Sequence, residues 1–411
     1  MGYAGLPSKS PLTNNGLQLS ETVLMHAGVG AEAGYDTNVF YGDKGHTVGS
    51  PIVRVVPYIE FTNATRSGDV PSGVYFDLDL SATYRQYLSN DPQPNNPAKK
   101  VSDQNEFLPG VSGLLEFSSP RAVSFQITDT FSRIEEAPYM LSMNRTSGPL
   151  IRYINAAAAQ LRWAPGGGRV QAILRYDNTY ETFPSASHLE FADSIYQQGS
   201  IDLSWKWLPK TAIFVKVSQG YVSYLNGNGG TPDTTKYSSY PFRAAVGLRG
   251  LVTQKTSVNV WVGYSNAFYA NGRNPEGLAG HLNASADLSI RPTMLNALGI
   301  SYRHDFQNSV IGNFYNIDGV SAWFQQMLAS RVSLLLSVRY EHRDFQFTNG
   351  ERIDNYIQAG AAADFHPKTW AYVGVGYAAL YNDANQPDNA VVPVGATYVK
   401  HQIFGRLGVT Y

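Results

Sequence analysis

The last fourteen residues read Y-V-K-H-Q-I-F-G-R-L-G-V-T-Y. Counted back in twos from Tyr411, one set is Val409, Leu407, Gly405 and Ile403. The interleaved set is Thr410, Gly408, Arg406, Phe404, Gln402 and Lys400. Side chains of a strand point alternately to its two faces, so this segment is a strand with one apolar and one polar side. An edge strand of a soluble sheet has the same pattern. The rest of the chain has to separate the two.

The alternation recurs along the chain. In 74–87, Val74, Phe76, Leu78, Leu80, Ala82 and Tyr84 oppose Asp77, Asp79, Ser81, Thr83 and Arg85. In 281–291, Leu282, Ala284, Ala286, Leu288 and Ile290 oppose His281, Asn283, Ser285, Asp287, Ser289 and Arg291. In 331–343, Val332, Leu334, Leu336, Val338 and Tyr340 oppose Ser333, Ser337, Arg339, Glu341 and Arg343. Connections between such segments alternate in length. Short ones fall at 118–121, 164–168, 208–210, 253–255, 291–293, 329–331 and 366–368, several with the Pro or Gly of tight turns. Long ones, rich in Asn, Asp, Gly and Pro, fall near 41–50, 88–101, 134–149, 183–190, 225–236, 270–278, 307–312, 347–351 and 381–397. The segment 62–72 is long where the order calls for a short turn.

The predicted strands are 22–36, 51–62, 73–88, 101–118, 121–133, 150–163, 168–182, 192–207, 211–225, 238–252, 256–269, 279–291, 293–306, 313–328, 331–347, 352–365, 369–381 and 398–411. That is about 18 strands, with 16 as the alternative. The fold expected is an all-β, closed antiparallel transmembrane β-barrel over 21–411, with residues 1–20 as a periplasmic N-terminal extension. Short turns and both chain ends belong on the periplasmic side and long loops outside. Closure follows because a sheet in hydrocarbon cannot leave edge N–H and C=O groups unpaired. A soluble sandwich seldom sustains so many long strands. Aromatics near strand ends (Tyr84, Tyr87, Trp163, Tyr176, Tyr180, Trp205, Trp207, Tyr264, Tyr340 and Tyr411) suit interfacial girdles.

Composition agrees. Of 411 residues only 15% are charged and 13% aromatic, with 27 Tyr and 38 Gly. No stretch approaches the roughly 18 consecutive apolar residues of a membrane helix. A net charge of −1 without a basic tract gives nucleic-acid binding no support. Cysteine is absent, which excludes disulfides, thiolate metal sites, Cys nucleophiles and covalent haem attachment. Met1-Gly2-Tyr3 lacks a basic n-region and an apolar core, so the start is read as a mature N-terminus with its signal already removed. None of the 8 His residues sits in a hydrolase or zinc motif, so no catalytic residue, metal site or cofactor is expected. Asp383 and Asp388 read as solvated loop acids.

What remains is an interior with charges of both signs. The candidate pore-lining residues are Arg54, Asp77, Asp79, Arg85, Arg152, Arg162, Arg175, Lys216, Arg243, Arg249, Arg303, Arg339, Glu341, Arg343 and Arg406. A barrel this wide can enclose an aqueous lumen, and charges lining a lumen set selectivity. The competing reading is that they pair with each other. Arg339 with Glu341, Arg303 with Asp305 and Arg352 with Asp354 lie at neighbouring inward positions.

Two resemblances add to this. The final strand ending on Tyr411, with Val409 and Leu407, resembles the C-terminal assembly signal of bacterial outer-membrane barrels. That implies barrel-assembly machinery, outer-membrane lipid and lipopolysaccharide as partners. The segment A-G-Y-D-T-N-V-F-Y-G at 33–42, followed by S-P-I-V-R-V-V-P-Y-I-E-F at 50–61, resembles the start of barrels of the β-barrel porin family 2 type. Gly34, Tyr35, Asp36, Asn38 and Phe40 carry the match. This resemblance implies export of a polysaccharide, acidic glycans included, through the lumen, with a periplasmic polysaccharide-export protein as partner. A passive porin for small solutes is the alternative, and a structural sleeve around a surface or redox complex is a third.

Overall fold

The computed structural model describes residues 17–20, 22–63, 73–94, 96–119, 122–136, 149–184, 189–226, 236–270, 281–310, 313–347, 350–385 and 396–411. Its strands are β1 (Leu24–Asp36), β2 (Ser50–Thr62), β3 (Val74–Tyr87), β4 (Glu106–Ser118), β5 (Val123–Glu136) and β6 (Leu150–Trp163). Next come β7 (Val170–Thr182), β8 (Ser194–Leu208), β9 (Thr211–Tyr224), β10 (Phe242–Leu251), β11 (Thr256–Asn266) and β12 (Leu282–Thr293). The last are β13 (Asn296–Asn308), β14 (Phe314–Leu328), β15 (Val332–Phe347), β16 (Gly350–Lys368), β17 (Ala371–Asn385) and β18 (Tyr398–Thr410). Each pairs antiparallel with the next, and β1 pairs antiparallel with β18 from Gly28↔Thr410 to Asp36↔Gln402. The chain is a closed 18-strand antiparallel barrel.

The final strand shows why the sequence folds this way. Along β18 the exposed residues are Val399, His401, Ile403, Gly405, Leu407 and Val409, and the buried ones are Tyr398, Lys400, Gln402, Phe404, Arg406 and Gly408. Val409, Leu407 and Tyr411 all face outward. The outside is an apolar band: Ile403 is 62% exposed, Val375 61% and Leu203 52%. The usual arrangement is therefore inverted, with oil outside and charge inside.

The seam is held on the inside by the 33–42 motif. Asp36, fully buried, accepts hydrogen bonds from Gln402 Nε2 at 2.6 Å and the Tyr87 hydroxyl at 3.0 Å, and Lys400 Nζ lies 2.8 Å away. Asn38 Nδ2 donates to Gly42 O at 2.7 Å and to Val399 O on β18 at 2.9 Å. Lys400 Nζ also lies 4.1 Å from the centre of the Tyr41 ring. Gly34 is required by close approach: a Cβ there would sit 2.0 Å from Ile403 O and 2.7 Å from the Phe404 Cα.

Three expectations are corrected. Tyr87 is not a girdle residue. It lies three positions from outward-facing Tyr84, so it faces inward, 3% exposed, against Asp36. The turn expected at 291–293 is at Met294 and Leu295 instead, because Pro292 is accommodated at a register shift between Ile290 and Thr293 rather than in the turn. The connection 88–101 is not a plain loop: Pro92–Gln93 and Asn96–Lys100 pair as a hairpin, and Val101–Gln104 forms a 3₁₀ turn. Most of 62–72 and Asp388 lie outside the described residues.

Removing one member of a buried, paired charge set costs about 3–5 kcal/mol, because the other is left unpaired. Asp36→Asn should therefore destabilise the barrel by about that much, seen as a lowered denaturant midpoint in detergent. Asp43→Asn, on an exposed loop, should stay within about 0.5 kcal/mol of the parent.

Candidate functional site in the barrel interior

Alternation with outward neighbours puts every candidate pore-lining residue on the inner face. They divide into three groups. The first is packed solid along β1–β3 and β15–β18. Arg54 donates to Glu32 at 3.1 Å and to Gln402 at 2.9 Å. Arg406 donates to Asp364 at 2.7 Å. Arg343 grips Glu341 Oε2 at 2.9 and 2.5 Å while Arg339 pairs with the other oxygen. Arg85 pairs with Glu135 and donates to Gln104 O at 2.9 Å. Arg352 and Asp354, both fully buried, pair at 2.9 Å. The three i,i+2 pairs expected from sequence all form. On this wall the charges fill space.

The second group lines the inside more openly. Arg152 pairs with Glu181, and Arg175 with Asp177 at 2.7 Å. Arg162 is exposed on the inner face near the 164–169 turn. Asp77 and Asp79 gather with Glu60, carboxylate oxygens within 4.8 Å of one another, and His26 Nδ1 lies 3.3 Å from Glu60.

The third group surrounds a cavity of about 470 Å³ against the inner wall of β8–β13. Lys216, Arg243, Arg249 and Arg303 line it with only two carboxylates, Asp202 and Asp305. Arg249 binds both oxygens of Asp202 at 2.9 Å and lies 4.8 Å from the Phe214 ring centre. Arg303 donates to Asp305 at 2.9 Å, and Arg243 approaches the other oxygen at 3.5 Å. Lys216 is exposed to the cavity and has no hydrogen bond or ion pair among the described residues.

Above the cavity the long-loop end is narrowed by apolar clusters. Leu150, Phe183, Leu189 and Ala192, from β6 and the β7–β8 connection, pack together with Val310 of the β13–β14 connection. Ala267, Tyr269, Phe306 and Phe314 form a second cluster. Lys236, on the β9–β10 connection, donates to Ser309 O, and its Nζ lies 5.3 Å from the Tyr224 ring centre. The β7–β8, β9–β10 and β13–β14 connections thus touch one another at the long-loop end.

Sequence reasoning missed Lys236, Phe214, Trp261 and Gly247. Phe214 and Trp261 are aromatics in phase with polar residues, which was a legible signal. Lys236 had none, because its partner is a loop carbonyl.

No protein-family model and no curated protein matches the chain. Solved structures of outer-membrane β-barrels are similar to it. OccK2 (OpdF) of Pseudomonas aeruginosa, solved with glucuronate, is 10% identical, with 94% of this chain and 98% of that one covered and a TM-score of 0.48. OccK1 (OpdK) of the same organism is 10% identical, covering 94% and 99%, at 0.47. The siderophore receptor PirA of Acinetobacter baumannii is 8% identical, covering 94% and 80%, at 0.44. Likeness at this level carries no information on function. The architecture stands on this chain's own strand pairing.

Burial pushes the Lys236 ammonium down to about 7 from 10.5, against the opposing pull of Glu181. The docked loop therefore binds fewer protons than the free loop between these values, so docking strengthens as pH rises from about 7 to 10.5. It weakens as pH falls through that window and is flat below it. A nitroxide attached through Tyr237→Cys, in a chain with no other cysteine, should become progressively less mobile as pH rises from about 7 toward 10. Lys236→Met should abolish that titration.

Proposed function

We propose that this chain is a bacterial outer-membrane channel passing small solutes. The observation that carries this reading is the solute-sized, charged cavity inside a closed barrel whose outer face is apolar. Soluble monomers rarely expose apolar patches beyond a few hundred Å², and this one girdles the barrel. Lipid is the environment that accepts it, and closure satisfies the backbone there. With the short turns and both ends on the periplasmic side, the narrowed long-loop end faces outward. Tyr411, Val409 and Leu407, exposed beside the seam, are available to the barrel-assembly machinery.

Polysaccharide export fits less well. It rested on the 33–42 motif, and Asp36, Asn38 and Gly34 have a sufficient role in clamping the seam. A polymer also needs a wide bore, and the contacts among the β7–β8, β9–β10 and β13–β14 connections take up part of the mouth.

Liposome swelling tests this. Proteoliposomes should admit monosaccharides and small organic acids and exclude a long acidic oligosaccharide. In planar bilayers the current should favour anions. Free passage of the oligosaccharide would restore the export reading, and absence of any permeation would remove the channel.

A further inference from the structure

We infer that the cavity on the β8–β13 wall is a binding station for a small organic anion with a flat apolar face. The inference rests on the channel reading only for how the ligand arrives.

The floor is aromatic. Phe214, Gly247 and Trp261 occupy one cross-strand row on β9, β10 and β11. A Cβ at Gly247 would lie 2.5 Å from the Trp261 Cβ and 2.7 Å from the Phe214 Cζ. Only glycine fits between the Phe214 ring tip on one side and the Trp261 Cβ on the other, so the two aromatics flank a shared bare strip of backbone. Neighbouring inner positions are kept small as well, with Ala245 beside them in the lining. Small residues set between the long cations leave space there, and a volume near 470 Å³ falls in the usual range of ligand pockets.

The charge on this floor is unbalanced. Asp202 is engaged by both Arg249 nitrogens. Arg243 and Arg303 share the single carboxylate of Asp305, and the Arg303 side chain remains 50% exposed. Lys216 stands directly across from Asp202 in register, yet the carboxylate turns to Arg249 instead. Two positive charges are left over from four cations and two acids. Lys216 lies two residues beyond Phe214 on β9, and Arg303 follows two strands past Trp261 on the same row, through Ser285. The surplus charge therefore brackets the aromatic floor. A carboxylate held by Lys216 or Arg303 would lay its attached flat group on Trp261, a pairing of ion and ring that neither a metal cation nor a neutral sugar reproduces.

Calorimetry on the folded barrel in detergent tests the station, with benzoate, benzamide and acetate as probes. Benzoate should bind at least about tenfold more tightly than benzamide, which keeps the ring and lacks the charge, and than acetate, which keeps the charge and lacks the ring. Lys216→Gln with Arg303→Gln should bring benzoate down to the level of benzamide. Trp261→Leu should bring it down to the level of acetate. Circular dichroism and heat-modifiable mobility confirm that each variant is a folded barrel. Benzoate binding equal to that of benzamide, or untouched by the Lys216 and Arg303 changes, or absent, overturns the station. Bilayer conductance of the same preparations separates the two readings. Current without benzoate binding removes the station and leaves the channel, while binding without current does the reverse.

Discussion

The backbone pairing of β1 with β18 removes the last two free edges of the sheet, and the rest of the molecule follows from it. Without that seam two strands would carry rows of unpaired N–H and C=O groups, which hydrocarbon cannot solvate. The chain does not leave the seam to backbone bonds alone. Asp36 reaches Lys400 and Gln402, Asn38 reaches Val399, and the Tyr58 hydroxyl meets Thr410 near the other end. Side chains thus bridge the two ends of the chain at both ends of the seam. The segment 33–42 is a closure device before it is anything else.

Closure also decides what the interior must contain. The outward face is committed to apolar residues, so polar and charged residues go inside, where each needs a partner or water. The chain uses both solutions, on different walls. Along β15–β18 the inner residues are large: Arg343, Arg352, Tyr356, Phe404 and Arg406 fill the space, and their charges are matched by Glu341, Asp354 and Asp364. Along β10–β12 small inner residues, Ala245, Gly247, Gly263, Asn283 and Ser285, are interspersed among Arg243, Arg249 and Trp261. There the space stays open and the cations outnumber the acids.

This explains how far the sequence could be read. The spans of the strands were legible, since an inverted barrel makes every strand alternate and the period shows wherever the outer face is aliphatic. Pairs two residues apart on one strand, such as Arg303 with Asp305, were legible for the same reason. Asp202 with Arg249 was not, because they sit on β8 and β10, and their meeting depends on the registers of two interfaces. The Tyr87 error had a simpler source. Proximity to a strand end says nothing of face, and Tyr87 is out of phase with Tyr84. Pro292 misled because proline usually marks a turn, whereas a register shift absorbs it here.

Several aromatic residues inside the barrel share one device that ties packing to the site. The ring lies against a cross-strand neighbour that has no side chain. Phe404 lies between Gly34 and Gly376, and a Cβ on Gly376 would fall 2.2 Å from its ring. Trp323 covers Gly299, where a Cβ would fall 2.4 Å from the indole nitrogen. At Phe404 the ring is then roofed by Arg54, 5.7 Å from its centre, so the result is packing. At Gly247 the Phe214 ring tip takes the space, with Arg249 4.8 Å from the ring centre, and Trp261 on the next strand lines the cavity. The same device that packs one wall borders a cavity on the other. The difference lies in the residues around the glycine: Arg54 and Gln402 crowd the Phe404 wall, whereas Ala245 and Asn283 leave room beside Trp261.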